Sequence, residues 1–209
     1  RKAADERGML LIFDEAQTAF GRIGTRTGAA YYGVTPDIMS VSKTLGGGLP
    51  LAGVITTDAI EEKVHARGYN YYTSHVSDPL LALVGLAVLD TLEDEDLLTR
   101  SKTMGAYLRG RMEDLQQKYE AIGDIRGEGM LLGIELVTNR ETREPHHELG
   151  EITTRKCYEY GLSMNIKRRK ERGSVWRIAP PLTISEDEID RGIEILDRSL
   201  RESLDELAH

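Results

Sequence analysis

The strongest constraint on this chain is a pair of apolar runs, each closing on a charged group, one acidic and one basic. Met9-Leu10-Leu11-Ile12-Phe13 passes without a break into Asp14-Glu15, and Ile38-Met39-Ser40-Val41-Ser42-Lys43 repeats the pattern. Such runs predict parallel strands covered on both faces, with polar residues at their C-terminal edge. Ala52-Gly53-Val54-Ile55-Thr56-Thr57 predicts a third strand. Ligands of open α/β sheets gather at that C-terminal edge, so an acid and an amine delivered there define a candidate site. Taken singly, Asp14 reads better as a helix cap or loop hydrogen-bonder, and Lys43 can be read as a lysine reaching solvent past a strand end.

The pattern around these strands sets the organisation. Arg1 to Arg7 reads as the end of an amphipathic helix stopped by Gly8, with no initiator methionine, so the chain is expected to start inside a domain. Asp58 is placed to cap a short helix from Ala59 to about Arg67. Leu80 to Leu92 is apolar nearly all round, which predicts a helix packed on more than one side. From about Thr99 the character changes. Met104, Leu108, Met112 and Leu115 recur at helical spacing, Ile125 to Val137 is glycine-punctuated β structure, and Leu149 to Tyr160 reads as helix. Val175 to Ile178 predicts a short strand. Ser185 and Glu188 have capping-box spacing ahead of a helix with Ile189, Ile193, Leu196 and Leu200 on one face. The junction falls near residue 96: residues 1–95 are expected to belong to an α/β sheet domain and residues 96–209 to a smaller α+β domain.

Charge and composition exclude several classes of function. Lysines and arginines total 27 against 35 acids, a formal charge of −8, so neither nucleic acid nor a membrane surface is an expected partner. The basic run over residues 167–172 is expected to be a solvated loop between two strands. Cys157 is the only cysteine; no intrachain disulfide can form, and a buried apolar role is expected for it. The five histidines show no metal-ligand spacing, and His146-His147 beside Pro145 reads as an exposed loop. No apolar stretch approaches the roughly 20 residues that span a bilayer, and the opening residues are not expected to act as a signal peptide. These features suggest a cytoplasmic enzyme.

Gly46-Gly47-Gly48 raises the question of a phosphate loop, but a P-loop places its lysine after the glycines and here Lys43 precedes them. A tight turn beside Lys43 is the expected use of these glycines. Three motifs then stand together: Asp14-Glu15-Ala16-Gln17-Thr18-Ala19-Phe20-Gly21-Arg22-Ile23-Gly24, Pro36-Asp37-Ile38, and Ser42-Lys43-Thr44-Leu45-Gly46-Gly47-Gly48-Leu49-Pro50. This set resembles the signature of the class III (ω-type) aminotransferases, a fold type I pyridoxal-phosphate group. Tyr72-Thr73-Ser74-His75-Val76-Ser77-Asp78-Pro79-Leu80, Gly161 to Ile166, and Arg177-Ile178-Ala179-Pro180-Pro181-Leu182-Thr183 resemble the 2,2-dialkylglycine decarboxylase branch of that group.

The resemblance implies a fold and a set of roles. The fold would be the C-terminal part of a fold type I transferase, with a mixed, mainly parallel sheet and helices on both faces, plus a small α+β domain. Lys43 would carry pyridoxal 5′-phosphate as a Schiff base and move a proton between substrate and cofactor. Asp14 would pair with the pyridine nitrogen, and Gln17 with the phenolic oxygen. Ser74 would donate to the phosphate of a neighbouring subunit, which implies a homodimer or a dimer of dimers. Arg177 would grip the substrate carboxylate with a planar, two-pronged donor. The branch also implies an alkali cation, potassium or sodium, ligated by the carbonyls of Ser74 and Val76 and the carboxylate of Asp78. Asp78-Pro79 reads independently as a helix start, and both roles can hold at once. The glycine turn for the phosphate, the aromatic stacked on the ring and the remaining ligands would belong to an N-terminal half outside this chain.

Two departures bear on substrate identity. Ala19 and Ile23 replace a usual glycine and threonine, and the basic run over 167–172 matches no family element. The reading is a decarboxylating transaminase that turns a 2,2-dialkylglycine into a ketone and carbon dioxide, then aminates pyruvate or a similar 2-keto acid. Its alternatives are a plain class III ω-aminotransferase and a non-catalytic partner chain of the same fold.

Overall fold

A computed structural model describes residues 1–166 and 173–209. The chain divides into two compact units, Arg1–Leu98 and Thr99–His209.

In the first unit, helix α1 (Lys2–Glu6) is capped by Arg7 and followed by Gly8, whose φ of 61° is one that glycine adopts without steric cost. Strand β1 (Ile12–Asp14) runs parallel to β2 (Ile38–Val41), with Ile12 opposite Ile38 and Asp14 opposite Ser40. Strand β3 (Gly53–Thr56) closes the three-stranded sheet antiparallel to β2, so the sheet is mixed. Asp37 ties its start together. The carboxylate accepts from the Leu11 amide at 2.7 Å and from the Arg1 guanidinium at 2.8 Å, and its carbonyl accepts from the Thr56 hydroxyl. Those donors, the amide first and then Arg1, hold the Asp37 carboxyl below its ordinary range. Helix α2 (Gly28–Tyr32) lies between β1 and β2, and α3 (Asp58–Ala66) and α4 (Pro79–Asp94) follow β3.

In the second unit, α5 (Leu97–Lys118) buries Met104, Leu108, Met112 and Leu115 along one stripe. An antiparallel sheet follows in the order β4 (Ile122–Glu128), β5 (Leu131–Leu136), β7 (Ser174–Ile178), β6 (Asn165–Ile166). Helix α6 (His147–Glu159) buries Leu149 and Cys157, and burial pushes the Cys157 thiol up, away from the reactive thiolate. Helix α7 (Glu186–Leu207) opens on a complete capping box between Ser185 and Glu188. It buries Ile189, Ile193, Leu196 and Leu200, each contributing roughly 1.5–3 kcal/mol when fully removed from water. Polar latches fix α5 to α7. Tyr107 and Arg111 converge on Asp190, and Lys118 and Tyr119 on Asp197.

Several expectations are corrected. The β1 run is not covered on both faces: Met9, Leu10 and Ile12 are about 60% exposed. The four leucines Leu80, Leu83, Leu86 and Leu89 of α4 are exposed as well, so α4 packs on one side, through Gly85 and Leu92. Apolar pattern reports a tendency toward burial, and neither face meets a covering layer within this unit. Strand β2 stops at Val41, because Lys43 takes a φ of 52° that no strand accommodates. Thr57, not Asp58, is the N-cap position of α3. His146 is not an exposed loop residue. It is half-buried and caps α6, accepting from the Leu149 amide through Nδ1. The run over 167–172 lies outside the described residues. Among the described residues, no helix is long and apolar enough to cross a membrane.

Candidate active site

The parallel pairing of β1 and β2 fixes the site. Because Asp14 sits opposite Ser40 in register, both strands present their C-terminal ends at one sheet edge, and Lys43 follows β2 by two residues. The Asp14 carboxylate accepts from the Ala16 amide and from the Ser40 hydroxyl, each at 3.1 Å. These two bonds, in that order, hold its pKa below the ordinary carboxylate range, and the positive charge of Lys43 adds to them. Asp14 is therefore an ionised carboxylate at a sheet edge shared with an exposed primary amine.

Lys43 opens a 3-10 turn over Lys43–Gly46, directly after the extended residue Ser42. Its left-handed backbone is unusual for a lysine, and such conformations persist where the surroundings over-determine them. Packing against α4 supplies that determination. A side chain at Gly85 would strike Leu51 at 2.8 Å, and one at Gly47 would press on Val88 at 3.1 Å. Both glycines thus let the Lys43 turn seat against the helix. Gly47 (φ 54°) and Gly48 (φ 102°) complete the reversal into β3.

Gln17 is exposed in the turn that follows β1. Ser74 and Val76 lie in a turn over residues 74–77 that leads into α4, with the Val76 amide donating to the Thr73 carbonyl. Asp78 is the N-cap of α4, accepting from the Leu80 amide at 3.1 Å, with Pro79 in the first turn. Its second oxygen lies 3.6 Å from His75 Nδ1. Arg177 is exposed on β7 in the second unit, paired with Gly133 of β5 and Asn165 of β6. Asp14, Gln17, Lys43, Ser74, Val76 and Asp78 belong to the first unit.

Two contributors were not legible beforehand. Ser40 holds Asp14 from the neighbouring strand, and its only sequence signal is a polar residue inside an apolar run. Glu15 is 2% exposed and bonded to the Gly28 and Ala29 amides at 2.9 and 2.7 Å; its partners lie 13 and 14 residues away, beyond any local pattern.

The fold is that of the fold type I pyridoxal-phosphate transaminases. A solved Bacillus anthracis aminotransferase superposes with a TM-score of 0.89 at 30% identity, over 96% of this chain and 46% of that one. The chain belongs to the class III aminotransferase family, whose model matches residues 1–200. An uncharacterized aminotransferase of Schizosaccharomyces pombe is 42% identical over 200 residues, 96% of this chain and 45% of the relative. A leucine/methionine racemase of Thermococcus litoralis is 36% identical over 96% of this chain and 44% of its own length. The chain therefore spans about half the length of the relatives it matches. Class III aminotransferases use pyridoxal phosphate, and the donor set at this sheet edge fits it: an ionised carboxylate suits a protonated ring nitrogen, and an exposed amine suits an aldehyde.

Proposed function

We propose that this chain supplies the lysine and the ring-nitrogen partner of a pyridoxal-phosphate enzyme that moves an amino group between an amino acid and a 2-keto acid. The observation that carries this reading is the shared edge of β1 and β2, with Asp14 held ionised beside the charge of Lys43. Pyridoxal phosphate, when bound, supplies the aldehyde and the electron-withdrawing ring on which amino-group chemistry depends. The residues of this chain would hold and steer it. Asp14 keeps negative charge at the ring nitrogen, Gln17 meets the phenolic oxygen, and Ser74 offers a hydroxyl to a phosphate across a homodimer or dimer of dimers. Lys43 would offer its amine to the aldehyde and hold the proton that moves at the reacting carbon, while Arg177 would bind the substrate carboxylate. Residues 1–95 would form part of the large cofactor domain and 96–209 the small domain of a cytoplasmic enzyme.

Family membership leaves open which substrate bond breaks, since a racemase stands among the relatives. Decarboxylation of a 2,2-dialkylglycine is favoured only by the resemblance of the segment Tyr72 to Leu80, which forms the turn over 74–77 and the Asp78 cap, to the 2,2-dialkylglycine decarboxylase branch. In that reading the carbonyls of Ser74 and Val76 and the Asp78 carboxylate hold an alkali cation. Incubation with 2-aminoisobutyrate and pyruvate separates the alternatives, because that donor has no α-hydrogen to lose. Carbon dioxide and alanine, both abolished in Lys43→Ala, are the expected products of the decarboxylase. No carbon dioxide, with brisk transfer from an ω-amine, would assign the plain aminotransferase instead.

A further inference from the structure

The strongest unassigned feature is the carboxylate of Glu15. It is 2% exposed, yet ionisable groups are buried only when their hydrogen bonds are met. Here they are met three times, from both ends of one loop. Oε2 accepts from the Gly28 amide at 2.9 Å and from the Thr18 hydroxyl, and Oε1 accepts from the Ala29 amide at 2.7 Å. Thr18 directly follows Gln17, while Gly28 and Ala29 begin α2. The backbone of Glu15 joins the same assembly, donating to the Ser40 carbonyl at 2.9 Å and accepting from the Ala19 amide at 3.2 Å. At the loop's far end, the Phe20 amide donates to Arg26 and the Gly21 amide to Thr25, closing the tip.

We propose that Glu15 is a positioning residue, closing the 15–28 loop so that Asp14 and Gln17 are presented together to the cofactor ring. The proposal rests on the reading of Asp14 and Gln17 as cofactor partners. Glu15 does more than cap α2: Thr27 takes the Ala30 amide at 3.0 Å, and besides the Gly28 and Ala29 amides Glu15 also holds the Thr18 hydroxyl from the other end of the loop. The fit at the clamp is close: a Cβ on Gly28 would lie 3.1 and 3.2 Å from the two Glu15 oxygens. Displacing the loop would also disturb Asp14 directly, since the Ala16 amide that holds its carboxylate is the first residue beyond Glu15.

The test compares Glu15→Gln, Thr18→Val and Asp14→Asn with the unaltered protein. One readout is hydrogen exchange at the Gly28 and Ala29 amides without cofactor. The others are the dissociation constant for pyridoxal phosphate and the pH at which the bound cofactor's absorption reports loss of the ring-nitrogen proton. Glu15→Gln should speed exchange at both amides, weaken cofactor binding about tenfold, and lower that titration by about one unit. Thr18→Val removes one donor while leaving the charge intact, and should give the same pattern in smaller measure; it decides the matter if Glu15→Gln does not fold. Faster exchange with unchanged affinity and titration in these variants would reduce Glu15 to a structural residue and overturn the proposal. Asp14→Asn separates the two levels. If it changes neither affinity nor titration, the cofactor reading of Asp14 fails and the proposal with it. If it changes both while the Glu15 and Thr18 variants change neither, the positioning role alone falls.

Discussion

Two glycines of α5 should respond to the same substitution with opposite sign. Gly110 faces open space, with nothing within 4 Å of an added Cβ. Alanine there removes backbone freedom from the unfolded chain and improves helix propensity, worth about 0.5–1 kcal/mol of added stability. Gly105 lies one and a half turns earlier, against the β4–β5 turn. An alanine Cβ would come 2.7 Å from the Cα of Gly129 and closer still to its carbonyl group. Both obstacles are main chain and cannot rotate aside, so helix and turn must separate. Forcing a methyl into a packed contact costs typically about 1–3 kcal/mol, and more where backbone must move. At about 2–4 °C per kcal/mol for a chain of this size, Gly110→Ala should raise the melting temperature by a few degrees and Gly105→Ala lower it by about 2–12 °C. Urea titrations followed by Trp176 fluorescence would read the same order in their midpoints, with unchanged slopes. A Gly105→Ala protein as stable as Gly110→Ala would show that α5 does not meet this turn as described, and the packing argument would fail.

Other predictions concern the site. Asp14 has a depressed pKa in the folded chain, so its stabilising contribution is complete above the unfolded value near 3.8 and is lost as pH falls through the lower folded value. Asp14→Asn should therefore flatten the acid limb of a melting temperature–pH profile, and an unchanged limb would discard the bonds from Ala16 and Ser40. Potassium should activate the enzyme relative to sodium, and Asp78→Ala should erase the difference while removing the α4 cap at a cost of about 1 kcal/mol. Equal rates in the two salts, with normal turnover, would remove the cation role and leave only the cap.

Where an element is set by neighbours a few residues away, the sequence announced it well. The α7 capping box is a three-residue spacing, and the α5 and α7 stripes follow from helical periodicity, so both appear as expected. The edge that gathers Asp14 and Lys43 was legible because two strands of one hand must end on one side. Burial of the strand run and of the α4 leucines was overstated, since an apolar residue does not name the surface that covers it. Lys43 lies two residues beyond the strand end that its apolar run implies, for a related reason: its left-handed turn depends on Leu45 and Leu51 seating against Gly85, a long-range fit with no local signal. The same holds for Glu15, whose clamp closes only when residues 18, 28 and 29 have come together.

The central claim is that Lys43 is the residue that takes the cofactor, and it can be tested by one trapping measurement. Borohydride reduction of the protein loaded with pyridoxal phosphate, followed by peptide mapping, should place the reduced cofactor on the peptide containing Lys43, and Lys43→Ala should carry no stoichiometric label. Labelling of a different lysine in the unaltered protein, or full labelling of Lys43→Ala, would contradict the account.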